Sequence, residues 1–220
     1  MLIVNNIDIY KENTDWLLNF GNPIVSFSTL NMFGNSERRA LYDGFLDVDF
    51  TFLTPDDFYN LINNNDVLIS LKKAYKFLVD KDGYNNFIIT EKSIQKNNVI
   101  NNQTVLNEIY DYWYNCIWLS KKILRDELWT AVRFQNSYFS NKLLYMIETY
   151  EQIKNNFSTE TWYGGRHLEK WVDYPLLKRL KGCFTDYDKQ GIIKSLYQHI
   201  NLYYDISFKV TDSLKLNILK

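Results

Sequence analysis

Asp47 and Asp49 stand two residues apart in Phe45-Leu46-Asp47-Val48-Asp49-Phe50-Thr51-Phe52-Leu53, a mostly apolar run. On a strand, residues two apart point to the same face. Carboxylates set among apolar neighbours are costly unless they are paired, hydrogen-bonded or bound to a cation. An oxygen-only pair favours a hard cation such as Mg²⁺. An edge strand with a solvated acidic face explains the same pattern and stays open. Elsewhere, Lys121 can meet a phosphate as a point charge, and Arg166 follows two glycines. Asp111 and Glu127 can hold amino groups. Trp113, Trp118 and Trp129 recur at helical spacing, which fits a core as well as a cleft wall. His167 and His199 are too few and too far apart for a metal site, and no Ser-His-Asp or Cys-His arrangement is visible.

The elements around these residues read as two regions. In the first hundred residues, short apolar runs at 2–4, 24–29 and 46–53 predict strands. Residues 8–19 carry helical spacing broken at Gly21-Asn22-Pro23, and residues 76–79 form a short apolar run. Tyr42-Asp43-Gly44-Phe45 between two β-like runs is a hairpin signal. Thr54-Pro55-Asp56-Asp57 is a helix start, with Thr54 as N-cap and Pro55 in the first helical position. Asp80-Lys81-Asp82-Gly83 reads as a turn. From residue 105 the spacing predicts helices near 105–122, 126–133, 137–153, 166–171, 173–181, 187–202 and 203–214. The expected fold class is α+β, with a sheet domain over 1–100 and a helical domain over 101–220.

The totals exclude several functions. The 220-residue chain carries a net charge of -1, is 46% hydrophobic, and its Lys and Arg are scattered. A nucleic-acid partner needs a concentrated basic footprint, so none is expected. No run approaches the roughly 18 apolar residues of a membrane span. The N-terminus lacks the basic and apolar regions of a signal peptide. Cys116 and Cys183 are expected to be reduced core thiols in a cytoplasmic protein.

Five segments, taken in order, resemble the aminoglycoside 6-adenylyltransferase (streptomycin adenylyltransferase) family. They are Asp15-Trp16-Leu17 with Phe20-Gly21-Asn22-Pro23; the strand from Leu46 to Leu53; Phe77-Leu78-Val79-Asp80-Lys81-Asp82-Gly83; Asp111-Tyr112-Trp113 with Lys121 and Leu124-Arg125-Asp126-Glu127-Leu128; and Gly165-Arg166-His167-Leu168-Glu169-Lys170-Trp171. The resemblance implies a polymerase-β-like nucleotidyltransferase sheet, here partial, and a C-terminal helical bundle. It implies transfer of AMP from ATP to a hydroxyl of an aminoglycoside such as streptomycin, with Mg²⁺.

On this alignment Asp49 takes the place of the third carboxylate of the family's triad, as metal ligand and catalytic carboxylate that orients or helps deprotonate the acceptor hydroxyl, with Asp47 beside it. Lys121 and Arg166 fall to the nucleotide, and Asp111, Glu127 and Trp113 to the acceptor. The family's Gly-Ser motif and its Asp-x-Asp pair have no counterpart among the fourteen residues before Asp15. Weak or absent activity of this chain alone is therefore expected. Self-association is expected too, through a sheet edge formed by residues 2–4 and 24–29. A rival register makes Asp47 and Asp49 the Asp-x-Asp pair and Ser28 the phosphate-binding serine. Two other functions stay open: a nucleotidyltransferase with another small acceptor, and a catalytically inactive remnant that at most binds aminoglycoside.

Overall fold

The computed structural model describes residues 1–31, 33–63, 75–86, 100–159, 161 and 163–217, the side chain of Tyr163 excepted. The chain divides into two compact units, Met1–Lys96 and Asn97–Lys220.

Among the described residues the first unit holds a four-stranded mixed sheet. Its strands are β1 (Leu2–Ile3), β2 (Pro23–Leu30), β3 (Ser36–Tyr42) and β4 (Leu46–Leu53), in the order β1-β4-β3-β2. β1 runs parallel to β4, and the other two pairings are antiparallel. The expected hairpin joins β3 to β4. Gly44 (φ 75°) and Phe45 (φ 61°) both sit in the left-handed region, which Gly enters freely and Phe does not.

Alternation along the strands sorts their side chains into two faces. Ala40, Tyr42, Phe50 and Phe52 turn to one side and bury against Leu17. Helix α1 (Asp8–Glu12) and a 3-10 stretch (Asp15–Phe20) supply the cover. Tyr10 stacks on Phe52 at 5.5 Å, and Trp16 meets Phe50 edge-on at 4.8 Å. Burying rings of this size contributes about 1.5–3 kcal/mol each.

The single helix expected over 8–19 is therefore two pieces. Asn13 breaks it, because its side chain accepts the Asp15 N–H at 2.7 Å while the Trp16 indole donates to the Asn13 carbonyl at 2.9 Å. Such side-chain bonds give the backbone an alternative to the helical ladder.

Helix α2 (Pro55–Ile62) starts as its sequence demands. The Thr54 hydroxyl accepts the Asp57 N–H at 3.1 Å, and the Asp57 carboxylate accepts the Thr54 N–H at 3.0 Å. Its buried Phe58 packs on Leu53 and Tyr84 and covers the β1 end of the second sheet face. Residues 76–79 form no strand. They lead into a turn in which the Asp80 carboxylate accepts the N–H groups of Tyr84 and Asn85 at 2.8 and 3.0 Å.

The second unit is helical: α3 (Asn102–Leu124), α4 (Leu128–Phe134), α5 (Ser140–Lys154), α6 (Leu168–Trp171), α7 (Tyr174–Leu180) and α8 (Lys189–Ser213). Asn101 caps α3 by accepting the Thr104 N–H at 3.1 Å. Val105, Ile109, Tyr112, Cys116, Leu119 and Ile123 then form one buried stripe at three- and four-residue spacing. Asp188 caps α8 in the same way through the Gly191 N–H at 2.7 Å.

The helices expected over 187–202 and 203–214 are one continuous α8. No Gly or Pro interrupts 192–213, and the apolar stripe runs on through Leu202, Tyr203, Ile206 and Val210. α4 and α5 are likewise continuous through a π-helical stretch, Gln135–Phe139. Tyr112 lies at the centre of the core. It stacks face to face on Tyr203 at 3.5 Å and bonds His199 Nδ1 at 3.1 Å. Cys116 and Cys183 are buried and unbridged, as expected, and burial pushes their thiols up to about 12 and about 11.

Candidate functional site

The second face of the sheet carries the acids. β4 presents Asp47, Asp49 and Thr51 there, and β3 presents Leu41, Arg39 and Glu37 opposite them in that order. Asp47 and Asp49 thus share a face, as their spacing predicts. Arg39 is the hub. Its Nε lies 2.8 Å from Glu37 and 3.5 Å from Asp49. Glu37 is buried and also accepts the Thr51 hydroxyl at 3.0 Å. The hydrogen bond to Glu37, with the charges of Asp49 and Glu37 added, raises the Arg39 pKa.

Asp47 has a different setting. It faces Leu41, which in turn faces Val25 on β2, so its cross-strand neighbours are apolar, and it is exposed. The rival register fails here. Ser28 pairs with Arg38, and Arg38 with Phe50, which places Ser28 on the opposite face from both acids.

A second polar cluster forms within the helical unit. Lys142 on α5 reaches Glu108 at 2.6 Å and Asp111 at 2.7 Å, both on α3. Tyr138 donates its hydroxyl to Asp111, and Asn115 donates to Asp111 at 3.0 Å. Burial alone would raise the Asp111 pKa, but the bonds from Lys142 and Tyr138 outweigh it and hold the carboxylate below its ordinary value. Burial, with the bond to Asp111, pushes the Tyr138 phenol up to about 12.

The remaining expected site residues are scattered over this unit. Glu127 is held by Lys122 at 2.6 Å, so its charge is already met. Trp113 is partly buried and packs edge-on against Tyr112 at 5.4 Å, a core role. Lys121 and Arg166 are both exposed. Trp129 is 65% exposed and lines a cleft of about 250 Å³ with Arg133, Phe134, Ser137 and Tyr138. Sequence reasoning missed Glu37, Arg39, Glu108, Tyr138 and Lys142. Arg39 was open to discovery, since a hairpin centred on Asp43-Gly44 sets it directly across from Asp49. Lys142 was not, because its partners lie 31 and 34 residues away.

A mixed sheet with a carboxylate-bearing face, followed in sequence by a helical unit, fits the nucleotidyltransferase class. The chain belongs to the streptomycin adenylyltransferase family, whose model matches residues 1–220. It is an adenylyltransferase by that membership. A crystal structure of an aminoglycoside 6-adenyltransferase from Bacillus subtilis aligns with 99% of this chain and 81% of its own, at 16% identity and a TM-score of 0.48. No curated protein matches the chain. Among the described residues no helix is long and apolar enough to cross a membrane.

Nucleotidyltransferases generally use Mg²⁺ with ATP. Asp49 is the residue the alignment offers as ligand, but its nearest charged neighbour is the Arg39 guanidinium. Among the described residues no group of three or more His, Cys, Asp or Glu side chains is arranged to hold a metal ion. Asp49 and Glu37 turned onto a shared guanidinium, with Asp47 beside them on the face, do not fit a divalent-cation clamp.

Proposed function

We propose that this chain transfers AMP from ATP to a hydroxyl of streptomycin or a related aminoglycoside, in the cytoplasm. The observation that carries the reading is the family match over residues 1–220. In such a transfer the acceptor oxygen bonds to the α-phosphorus. The bond from that phosphorus to the bridging oxygen breaks, pyrophosphate leaves, and the hydroxyl proton passes to a base. Asp49, oriented by Arg39, takes the role of orienting and deprotonating the acceptor hydroxyl. Asp47 adds negative charge on the same face.

Asp111 takes the acceptor's amino groups, since Lys142 and Tyr138 hold it ionised at neutral pH and it remains partly exposed. Lys121 and Arg166 are assigned to the triphosphate as exposed cations. Glu127 and Trp113 contribute through the α3–α4 connection and the core. Asp111→Asn is expected to raise KM for the aminoglycoside about tenfold, the weight of one charge-assisted hydrogen bond. A steady-state titration with kcat followed separately checks it, and an unchanged KM removes Asp111 from the acceptor site.

The lack of a metal-ligand cluster among the described residues favours a second reading, an aminoglycoside-binding protein without catalysis. Mass spectrometry of the purified chain with ATP, Mg²⁺ and a panel headed by streptomycin decides between them. A nucleotidyl adduct lost in Asp49→Asn supports transfer. No adduct from the folded chain, with a Tm raised by streptomycin alone, supports binding only.

Among the described residues β1 and β2 are the outer strands at opposite ends of the sheet, so residues 2–4 and 24–29 do not form the single edge expected of them; β2 exposes Ile24, Val25, Phe27 and Leu30. The outer edge of β2 would pair with a second copy. Sedimentation is expected to shift toward dimer as concentration rises, and a monodisperse monomer at high concentration refutes this.

A further inference from the structure

We infer that two copies of this chain pair through the outer face of α8, antiparallel, about a two-fold axis between Ile200 and Asn201. α8 is apolar on two sides. Its buried stripe, with Ile192, Leu196, Leu202, Tyr203, Ile206 and Val210, belongs to the core of the helical unit. On the other side Ile193, Tyr197, Tyr204 and Phe208 are 52 to 65% exposed. Steps of four, seven and four residues put them in one line along the helix. Tyr204 and Phe208 already stack on each other, ring centroids 6.4 Å apart. A surface helix needs one apolar stripe to hold it to its core, and a second stripe facing water marks a surface that meets a partner.

The positions say which partner. Ile193 with Phe208, and Tyr197 with Tyr204, have the same midpoint, which falls between Ile200 and Asn201. A two-fold axis there sets Ile193 level with the partner's Phe208 and Tyr197 level with the partner's Tyr204. Every contact then occurs twice, as an isologous interface requires. The exposed apolar positions of α3, Tyr110, Tyr114, Ile117 and Leu124, have no common midpoint, so that face does not match itself.

The charges select the antiparallel arrangement. From residue 189 to 200, α8 carries Lys189 and Lys194 and no acid; from 201 to 213 it carries Asp205 and Asp212 against Lys209. Antiparallel pairing lays the basic half on the acidic half, and Lys189 comes level with the partner's Asp212. Asp212 has no ion pair among the described residues, whereas Asp205 is held by Arg179 at 2.8 Å, Lys209 lies over the Tyr150 ring and Lys189 also meets Asp126. A parallel pair would set like charge on like. Four large side chains from each copy make a small patch, so the pairing is weak and concentration-dependent.

Sedimentation of the full chain over a wide concentration range tests this. The wild type is expected to associate. Tyr197→Lys and Tyr204→Glu change exposed residues, so the fold and its Tm should hold. Each should weaken association about tenfold or more, because each sets a charge against an apolar partner. Mixed in equal amounts, the two variants should associate again. In this register the introduced lysine of one meets the introduced glutamate of the other, and the two remaining tyrosines meet each other. The chain carrying both substitutions should self-associate for the same reason. Pairing through the edge of β2, in the sheet unit, is indifferent to all of these changes. A wild type that stays monomeric, association untouched by either substitution, or single variants that mixing does not restore overturns the proposal.

Discussion

Lowering the pH from 7 to 4 is expected to cost the helical unit about 3 kcal/mol through His199 alone. The imidazole is fully buried beside Tyr112 and Phe139. Burial strips it of water and holds its pKa down to about 4, and its hydrogen bonds do not offset that loss. In the unfolded chain the same group titrates near 6.5. Between these values the unfolded state binds a proton that the folded state refuses, so protons favour unfolding. The contribution is whole above about 6.5, falls with pH through the window, and is gone below about 4.

Asp57 and Asp111 also have lowered pKa values and lose their contributions as the pH falls, so wild-type stability alone does not isolate the histidine. His199→Leu does. It removes the titration and the Tyr112–His199 bond, an offset that is the same at every pH. Urea midpoints at pH 7, 5.5 and 4.5 should show the wild type converging on the variant as the pH drops. Parallel curves would mean that His199 takes up its proton in the folded state as readily as in the unfolded one.

His199 also marks where sequence reading runs out. Its position in the α8 stripe is legible, since Leu196, Tyr203, Ile206 and Val210 share the spacing. Its partner is not, because Tyr112 lies 87 residues away on α3. Local physics decided what was legible. Thr54-Pro55-Asp56-Asp57 caps a helix through contacts within three residues, and a two-residue strand period fixes that Asp47 and Asp49 share a face. The break at Asn13 depended on a short side chain competing for backbone, which periodicity does not register. The split expected within α8 has no breaker residue behind it, and the stripe itself never lapses. The acid cluster at Lys142 is tertiary throughout. Asp111 was found through resemblance, and its ion pair through the packing of α3 on α5.

Asp49→Asn is expected to lower kcat for adenylyl transfer by roughly two to four orders of magnitude, the usual weight of a positioned general base. The two acids of β4 are not equivalent. Asp49 lies across from Arg39, which ties it to Glu37 and through that carboxylate to Thr51. A base must be held in one orientation to meet a hydroxyl, and this network supplies that hold. Asp47 lies across from Leu41 with no ion pair among the described residues to fix it, so Asp47→Asn should cost much less, about tenfold or below.

Neither change should unfold the chain. Asp49 is 54% exposed, and exposed substitutions usually stay within about 0.5 kcal/mol. Arg39→Met provides the positioning test. It leaves Asp49 chemically intact but free to swing, so kcat should fall while the pH profile keeps the limb set by Asp49. Pyrophosphate release with streptomycin as acceptor reads all three variants. If Asp49→Asn retains wild-type kcat in a folded protein, the base lies elsewhere and the assignment of this sheet face to catalysis is wrong. If Asp47→Asn is the more damaging of the two, the Arg39 network holds the sheet together and the unanchored acid does the chemistry.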